Sequence, residues 1–87
     1  MLLIKPQFEV GRTAVRGGLV TDAALRAEAV ETVLWAAWDE GLRTRGILPS
    51  PLPGTHGNRE YLVRLGAERG ESPTEWMTTI QSVTGDG

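Results

Sequence analysis

Leu2-Leu3-Ile4-Lys5-Pro6-Gln7-Phe8-Glu9 is an apolar run that ends in a lysine near the start of the chain. Residues 1–5 do not alternate in polarity, which predicts a strand buried on both faces. Pro6 ends the ladder because proline has no N–H to donate. A later run, residues 60–65, does alternate and begins with Glu60. Ligands of open α/β sheets bind outside strand ends, so Lys5 and Glu60 are candidates for a catalytic or binding pair.

The segment between these two runs predicts one long helix and one further strand. Thr21 or Asp22 caps the helix, and Gly41 is the left-handed residue that ends it. Its apolar stripe recurs at three- and four-residue steps and comprises Ala23, Ala27, Val30, Leu34 and Ala37. Residues 43–48 are a weaker strand candidate, and the proline-rich segment after them reverses the chain. Ser72, followed by a proline, predicts a short C-terminal helix.

Length and composition bound the class of protein. Eighty-seven residues with 40% hydrophobic and 23% charged side chains indicate one small folded domain. The chain has no cysteine, which excludes disulfides, thiolate catalysis and cysteine-bound metals, and its one histidine, His56, has no companion for a metal site. The apolar start is too short for a signal peptide or for a membrane span of about 20 residues. We therefore expect a cytoplasmic protein without a metal or a membrane contact.

Charge is unevenly distributed along the chain. The formal net charge of −2 and the pI near 5.3 argue against a nucleic-acid binder as a whole. Residues 1–20 and 43–65 are nevertheless net basic, whereas residues 21–42 and 66–87 are net acidic. If the basic stretches form the strands and loops, positive charge is expected to gather at one rim of the sheet, where it could attract phosphate.

Three separated motifs occur in a fixed order: residues 3–11, residues 17–20 with Asp22, and residues 50–54 with 57–61. Together they span roughly residues 2–65 and resemble the C-terminal part of the TlyA family, hemolysin-like proteins grouped with FtsJ-like ribosomal RNA 2′-O-ribose methyltransferases. The resemblance implies an α/β fold, the C-terminal portion of a Rossmann-like methyltransferase sheet with strand–helix–strand–strand order and a short C-terminal helix. The implied sheet order is five, seven, six, with the last strand antiparallel. Residues 1–66 would belong to the methyltransferase domain, and residues 67–87 would form a linker and the C-terminal helix.

The resemblance also implies chemistry for the two strand-end residues. The family uses a lysine–aspartate–lysine–glutamate tetrad, whose third and fourth members fall on Lys5 and Glu60. A ribose hydroxyl must be oriented and relieved of its proton as it attacks the methyl sulfonium of S-adenosylmethionine. Lys5 would take that proton as a neutral amine, which burial or a second cation favours, and Glu60 would orient it.

The chain lacks several parts that the family pattern includes. The first lysine and the aspartate of the tetrad, the glycine-rich cofactor loop and the RNA-binding S4 domain have no counterpart in the sequence. We therefore expect a C-terminal fragment that is inactive alone and holds no cofactor-binding residue, although the parent enzyme would use S-adenosylmethionine and act on ribosomal RNA. Arg12, Arg16 and Arg59 are the candidate RNA contacts.

Two other functions remain open from the sequence. By residue type alone, Lys5 and Glu60 would be solvated strand-end residues, and the chain would be a non-catalytic binding or oligomerising module. An exposed strand edge or the first helix could then pair with a second copy of the chain. A membrane-active hemolysin is the third reading, but the sequence offers neither a spanning segment nor a strongly basic amphipathic helix.

Overall fold

The computed structural model describes residues 1–9, 22–52, 54 and 57–85. Arg12 and Arg16, two of the predicted RNA contacts, lie outside these ranges, as does His56. In chain order the elements are β1 (Leu2–Ile4), α1 (Pro6–Glu9), α2 (Ala23–Asp39), β2 (Arg43–Pro49), β3 (Tyr61–Gly66), a 3₁₀ turn (Pro73–Trp76) and α3 (Met77–Thr84).

The three strands form one sheet in the order β1-β3-β2. β3 runs antiparallel to both neighbours, with Ile4 opposite Tyr61 in β1 and Ile47 opposite Val63 in β2. The last strand in the chain is therefore inserted between the first two. This arrangement confirms the predicted order of five, seven, six with an antiparallel last strand.

The core lies between one face of the sheet and the helices α2 and α3. Its buried members come from every strand and from both helices, and they are Ile4, Val30, Leu34, Ile47, Tyr61, Val63 and Ile80. The predicted stripe of α2 is confirmed at Val30 and Leu34, and the predicted alternation of β3 at Tyr61 and Val63. Ile80 places α3 in the same core as the sheet, while the division of the chain after residue 66 stays a prediction.

Both ends of α2 follow from local chemistry. The Asp22 carboxylate accepts a hydrogen bond from the Ala24 amide at 2.8 Å, which satisfies one of the free N–H groups of the first turn. At the other end Gly41 has φ +84°, and the Leu42 amide donates to the Ala37 carbonyl at 2.9 Å. These contacts are those of a Schellman-type cap, and they confirm the predicted limits of the helix.

A buried arginine fastens α3 to α2. Arg26 is 3% exposed, and its Nε and Nη2 donate to the Thr84 carbonyl at 3.3 and 3.0 Å. Carbonyls at the end of a helix have no partner within the helix and lie at the negative end of its dipole, so a cation is favoured there. None of the helices in the described ranges is long and apolar enough to cross a bilayer.

The segment after β3 also pairs with the sheet. The Thr44 amide donates to the Glu71 carbonyl at 3.1 Å, and the Glu71 amide donates to the Thr44 carbonyl at 2.9 Å. This two-bond bridge lies beside the outer edge of β2. It holds residues 66–71 against the strand and directs the chain into α3.

Candidate functional site

The sheet register brings Lys5 and Glu60 to one edge. Ile4 and Tyr61 are the last paired residues of the β1–β3 ladder, and Lys5 follows the first while Glu60 precedes the second. Because the strands are antiparallel, both residues leave the ladder at the same end of the sheet. The Glu60 carbonyl also accepts a hydrogen bond from the Ser50 amide at 2.8 Å, so its backbone is fixed from the β2 side as well.

Lys5 is half-buried and lies against the short helix α1. Its Nζ is 5.6 Å from the centroid of the Phe8 ring, within the range of a cation–π contact. The Phe8 amide donates to the Lys5 carbonyl at 2.9 Å, which closes the turn that carries the ring. The sequence predicted only the end of β1 at Pro6, but a proline also suits the first position of a helix, and α1 begins there.

Glu60 is buried and held by an amide that the sequence analysis did not single out. It is 7% exposed, and its Oε2 accepts a hydrogen bond from Gln7 Nε2 at 2.8 Å. A buried carboxylate needs such partners, because losing water is costly for a charged group. Gln7 lies two residues after Lys5, so one short segment supplies both the amine and the amide that faces Glu60.

The Gln7 amide has one end without a partner. Gln7 Oε1 is buried and accepts no hydrogen bond from a described residue. Buried polar atoms without a partner are rare. The sequence shows only that an amide lies near the strand-end lysine, because its partner Glu60 is 53 positions further along the chain, just before β3.

The loop before β3 leaves room for the Glu60 carboxylate at Gly54. A Cβ atom on Gly54 would overlap that carboxylate, so a residue without a side chain is needed there. The Gly54 amide donates to the Asn58 carbonyl at 2.8 Å, and the Gly57 amide donates to the Gly54 carbonyl at 3.0 Å. Gly57 has φ +77°, which glycine adopts readily. The Gly54 backbone therefore lies directly against the carboxylate.

Arg59, the described member of the predicted RNA contacts, points toward the C-terminal helix. It is exposed, and its Nη1 donates to the Gly85 carbonyl at 2.9 Å. An open cleft of about 590 Å³ lies between this end of α3 and the segment that carries Glu60, and Ser50, Asn58 and Ser82 contribute to its walls. Among the described residues, no group of three or more histidine, cysteine, aspartate or glutamate side chains is placed to hold a metal ion.

Comparison with curated proteins agrees with this architecture. The chain is 48% identical over 64 residues to the 16S/23S rRNA (cytidine-2′-O)-methyltransferase TlyA of Mycobacterium tuberculosis, a match that covers 72% of this chain and 24% of that protein. It is 37% identical over 86 residues to the "Putative rRNA methyltransferase YqxC" of Bacillus subtilis, covering 92% of this chain and 31% of that protein. The chain thus spans about a quarter to a third of these relatives.

A solved structure and a family match extend the comparison. The structure described as "Putative hemolysin from Streptococcus thermophilus" superposes with a TM-score of 0.83 at 35% identity, covering 94% of this chain and 30% of that one. The family described as FtsJ-like methyltransferase matches residues 1–67, which is well over half of the chain. The resemblance seen in the sequence is thereby confirmed, and the chain belongs to the FtsJ-like methyltransferase family.

Proposed function

We propose that this chain forms the lysine–glutamate side of the active site of a cytoplasmic, S-adenosylmethionine-dependent ribosomal RNA 2′-O-ribose methyltransferase. The observation that carries the proposal is the register of β1 against β3, because it delivers Lys5 and Glu60 to one edge of the sheet. The name of the M. tuberculosis relative, which matches this segment at 48% identity, supports the reaction and the substrate class.

The residues at this edge of the sheet suit activation of the ribose hydroxyl for its attack on the methyl group. Lys5 is the proposed acceptor of the ribose hydroxyl proton, and Glu60 is its proposed orienting partner. Gln7 and Gly54 keep the carboxylate in place, since one oxygen is bonded to Gln7 and the Gly54 backbone lies against it. Holding a catalytic group and a reactant in a fixed geometry supplies a large share of the rate enhancement when two bound partners react.

S-adenosylmethionine, when bound, supplies an electrophilic methyl group. None of the described residues is assigned to hold it, and the relatives are three to four times longer than the segment they share with this chain. We therefore propose that the 87 residues alone transfer no methyl group. Ribosomal RNA is the proposed partner of the whole site, and Arg12, Arg16 and Arg59 stay predicted contacts for it.

A chimera tests the proposal. The matching segment of the M. tuberculosis relative is replaced by residues of this chain, and methyl transfer to ribosomal RNA is measured with labelled S-adenosylmethionine. Lys5→Met and Glu60→Gln should each lower the rate by about 10²- to 10⁴-fold, whereas Glu28→Gln on the exposed side of α2 should not. Full activity in the Lys5 and Glu60 variants would refute the catalytic assignment, and robust transfer by residues 1–87 alone would refute the proposed inactivity.

A second candidate function is that of an oligomerising module, and the free edge of β1 favours it. Within the described residues β1 pairs with β3 alone, and Leu2 and Leu3 are 41% and 40% exposed. An open, apolar strand edge is a template for pairing with another chain. Sedimentation velocity should show a dimer or larger assembly, weakened by Leu3→Lys. A monomer at high concentration would rule this function out.

A further inference from the structure

Three arginines surround the end of the sheet that lies farthest from Glu60. Arg64 is on β3, Arg45 lies where the register of β2 shifts between Thr44 and Gly46, and Arg69 is in the turn after β3. All three side chains are exposed. None of them makes a hydrogen bond or an ion pair with another described residue, so their guanidinium groups are available to a ligand.

Two glycines lie beside the side chains of Arg64 and Arg45 on one face of the sheet, and the Arg69 backbone approaches the second of them. Gly46 pairs with Arg64, and a Cβ on Gly46 would meet Arg64 Cδ at 3.9 Å. A Cβ on Gly66 would meet Arg45 Cδ at 2.8 Å and the Arg69 carbonyl at 3.1 Å. Arg64 and Gly66 alternate with the inward-facing Val63, so this face points away from the core.

Two of the three arginines, Arg45 and Arg69, line a shallow hollow. It has a volume of about 340 Å³ and is lined by Arg45, Gly66, Ala67, Glu68 and Arg69. A protein interface would need an apolar centre with aromatic or large aliphatic side chains, whereas the floor here is a glycine and an alanine. Guanidinium forks around a hollow of small residues suit phosphate oxygens, which they bind with paired hydrogen bonds.

A neighbouring arginine provides a natural contrast. Arg43 is also exposed, but its guanidinium carbon lies 5.9 Å from the centroid of the Trp38 ring, so it already has a stacking partner. The three unpaired arginines stand against one carboxylate of the hollow, Glu68, in a chain whose net charge is −2. Arg45 and Arg64 belong to the basic stretch of residues 43–65, whereas Arg69 comes from the net acidic stretch that follows it.

We propose that Arg45, Arg64 and Arg69 form an arginine surface that binds phosphates of an RNA backbone. The choice of RNA rests on the proposed function, while the anion chemistry rests on the geometry alone. Along β3, Arg64 lies four residues and Gly66 six residues after Glu60, which separates the surface from Glu60 by roughly 13–20 Å. The arginine surface is thus a second contact, and it positions RNA without taking part in the reaction.

Binding of the 87-residue chain to a fluorescent RNA duplex, measured by anisotropy over a range of salt concentrations, tests this proposal. Replacing all three arginines with glutamine should weaken binding about tenfold or more and lower the slope of log K against log salt by about 2 to 3, as expected for three lost phosphate contacts. Arg43→Gln is the matched control and should leave both values unchanged. Substitutions of exposed side chains of this kind change stability little, so all variants should stay folded.

Three results would overturn the inference. They are the absence of RNA binding by the unmodified chain at low salt, an unchanged affinity and slope in the triple variant, and an equal loss in Arg43→Gln. Polyglutamate serves as a competitor, and displacement of RNA by an equal charge concentration of polyglutamate would reject phosphate recognition in favour of a general anionic partner. The experiment measures RNA binding alone, so a negative result would not depend on whether Lys5 and Glu60 catalyse methyl transfer.

Discussion

Replacing Gly54 with alanine would test how the loop before β3 holds the Glu60 carboxylate. The new Cβ would overlap that carboxylate, and Glu60 is buried, so either its side chain or the loop must move. If the side chain moves, it leaves Gln7 Nε2, which donates to it at 2.8 Å. The substitution should therefore cost both packing and a hydrogen bond.

The expected cost follows from these two effects. Overpacking a tight site typically destabilises by about 1–3 kcal/mol, and a lost hydrogen bond to a charged group by about 1.5–3 kcal/mol. Moving the Glu60 side chain relieves the overlap but breaks its hydrogen bond, so the two costs are not fully additive. We expect a total destabilisation of about 2–4 kcal/mol. A chain of this size has a free energy of unfolding of roughly 4–13 kcal/mol, so the loss is a large share of its stability.

Urea unfolding followed by tryptophan fluorescence measures this cost. Gly46→Ala is the matched control, because its Cβ would make only an ordinary contact at 3.9 Å, and it should change stability by less than about 1 kcal/mol. In a Glu60→Ala background the carboxylate is gone, so Gly54→Ala should become nearly neutral. If Gly54→Ala costs the same with and without the Glu60 carboxylate, the proposed clash is not the cause.

Three further substitutions probe the contacts around the site and the helices. Arg26→Met should destabilise the fold by about 2–4 kcal/mol, because it leaves the buried Thr84 carbonyl without its charged donor. Amide hydrogen exchange should become faster in α3 than in the sheet, and an unchanged exchange rate in α3 would contradict the expectation. Gly41→Ala should cost about 1–2 kcal/mol from its positive φ alone, since nothing lies within 4 Å of a Cβ there, and Gly41→Asn should cost less. Gln7→Met keeps the side-chain length but removes the donor to Glu60, and a loss of about 1.5–3 kcal/mol is expected in the same urea assay; a neutral result would show that the hydrogen bond contributes nothing.

Local chemistry was enough to predict the limits of α2. Asp22 and Gly41 act on groups within a few residues of themselves, so their roles are visible in the sequence. The order of the strands is different, because a pattern of apolar residues does not say which strand is central. That order came from the resemblance to a known family, and the pairing of β1 with β3 confirmed it.

The contacts that shape the site depend on residues far apart in the chain. Gln7 and Glu60 are 53 positions apart, and Arg26 and Thr84 are 58 apart. A polar side chain in a sequence is normally assigned to the surface, and only the folded arrangement shows that these are buried and paired. Gly54 differs, because it lies only six positions before Glu60, yet its close approach to the carboxylate is visible only in the folded arrangement.

The position of β3 also governs when the site can form during folding. Pairing Ile4 with Tyr61 joins residues about 57 positions apart, whereas Pro49 meets the same tyrosine across about 12. Closing the longer loop costs about 1.4 kcal/mol more in chain entropy, which favours the β2–β3 hairpin as the earlier step. During synthesis Lys5 leaves the ribosome long before Glu60, so the two residues can come to one end of the sheet only after β3 has emerged. The approach of Lys5 to Glu60 therefore marks completion of the sheet. A measurement of the distance between these two residues would follow the last stage of folding.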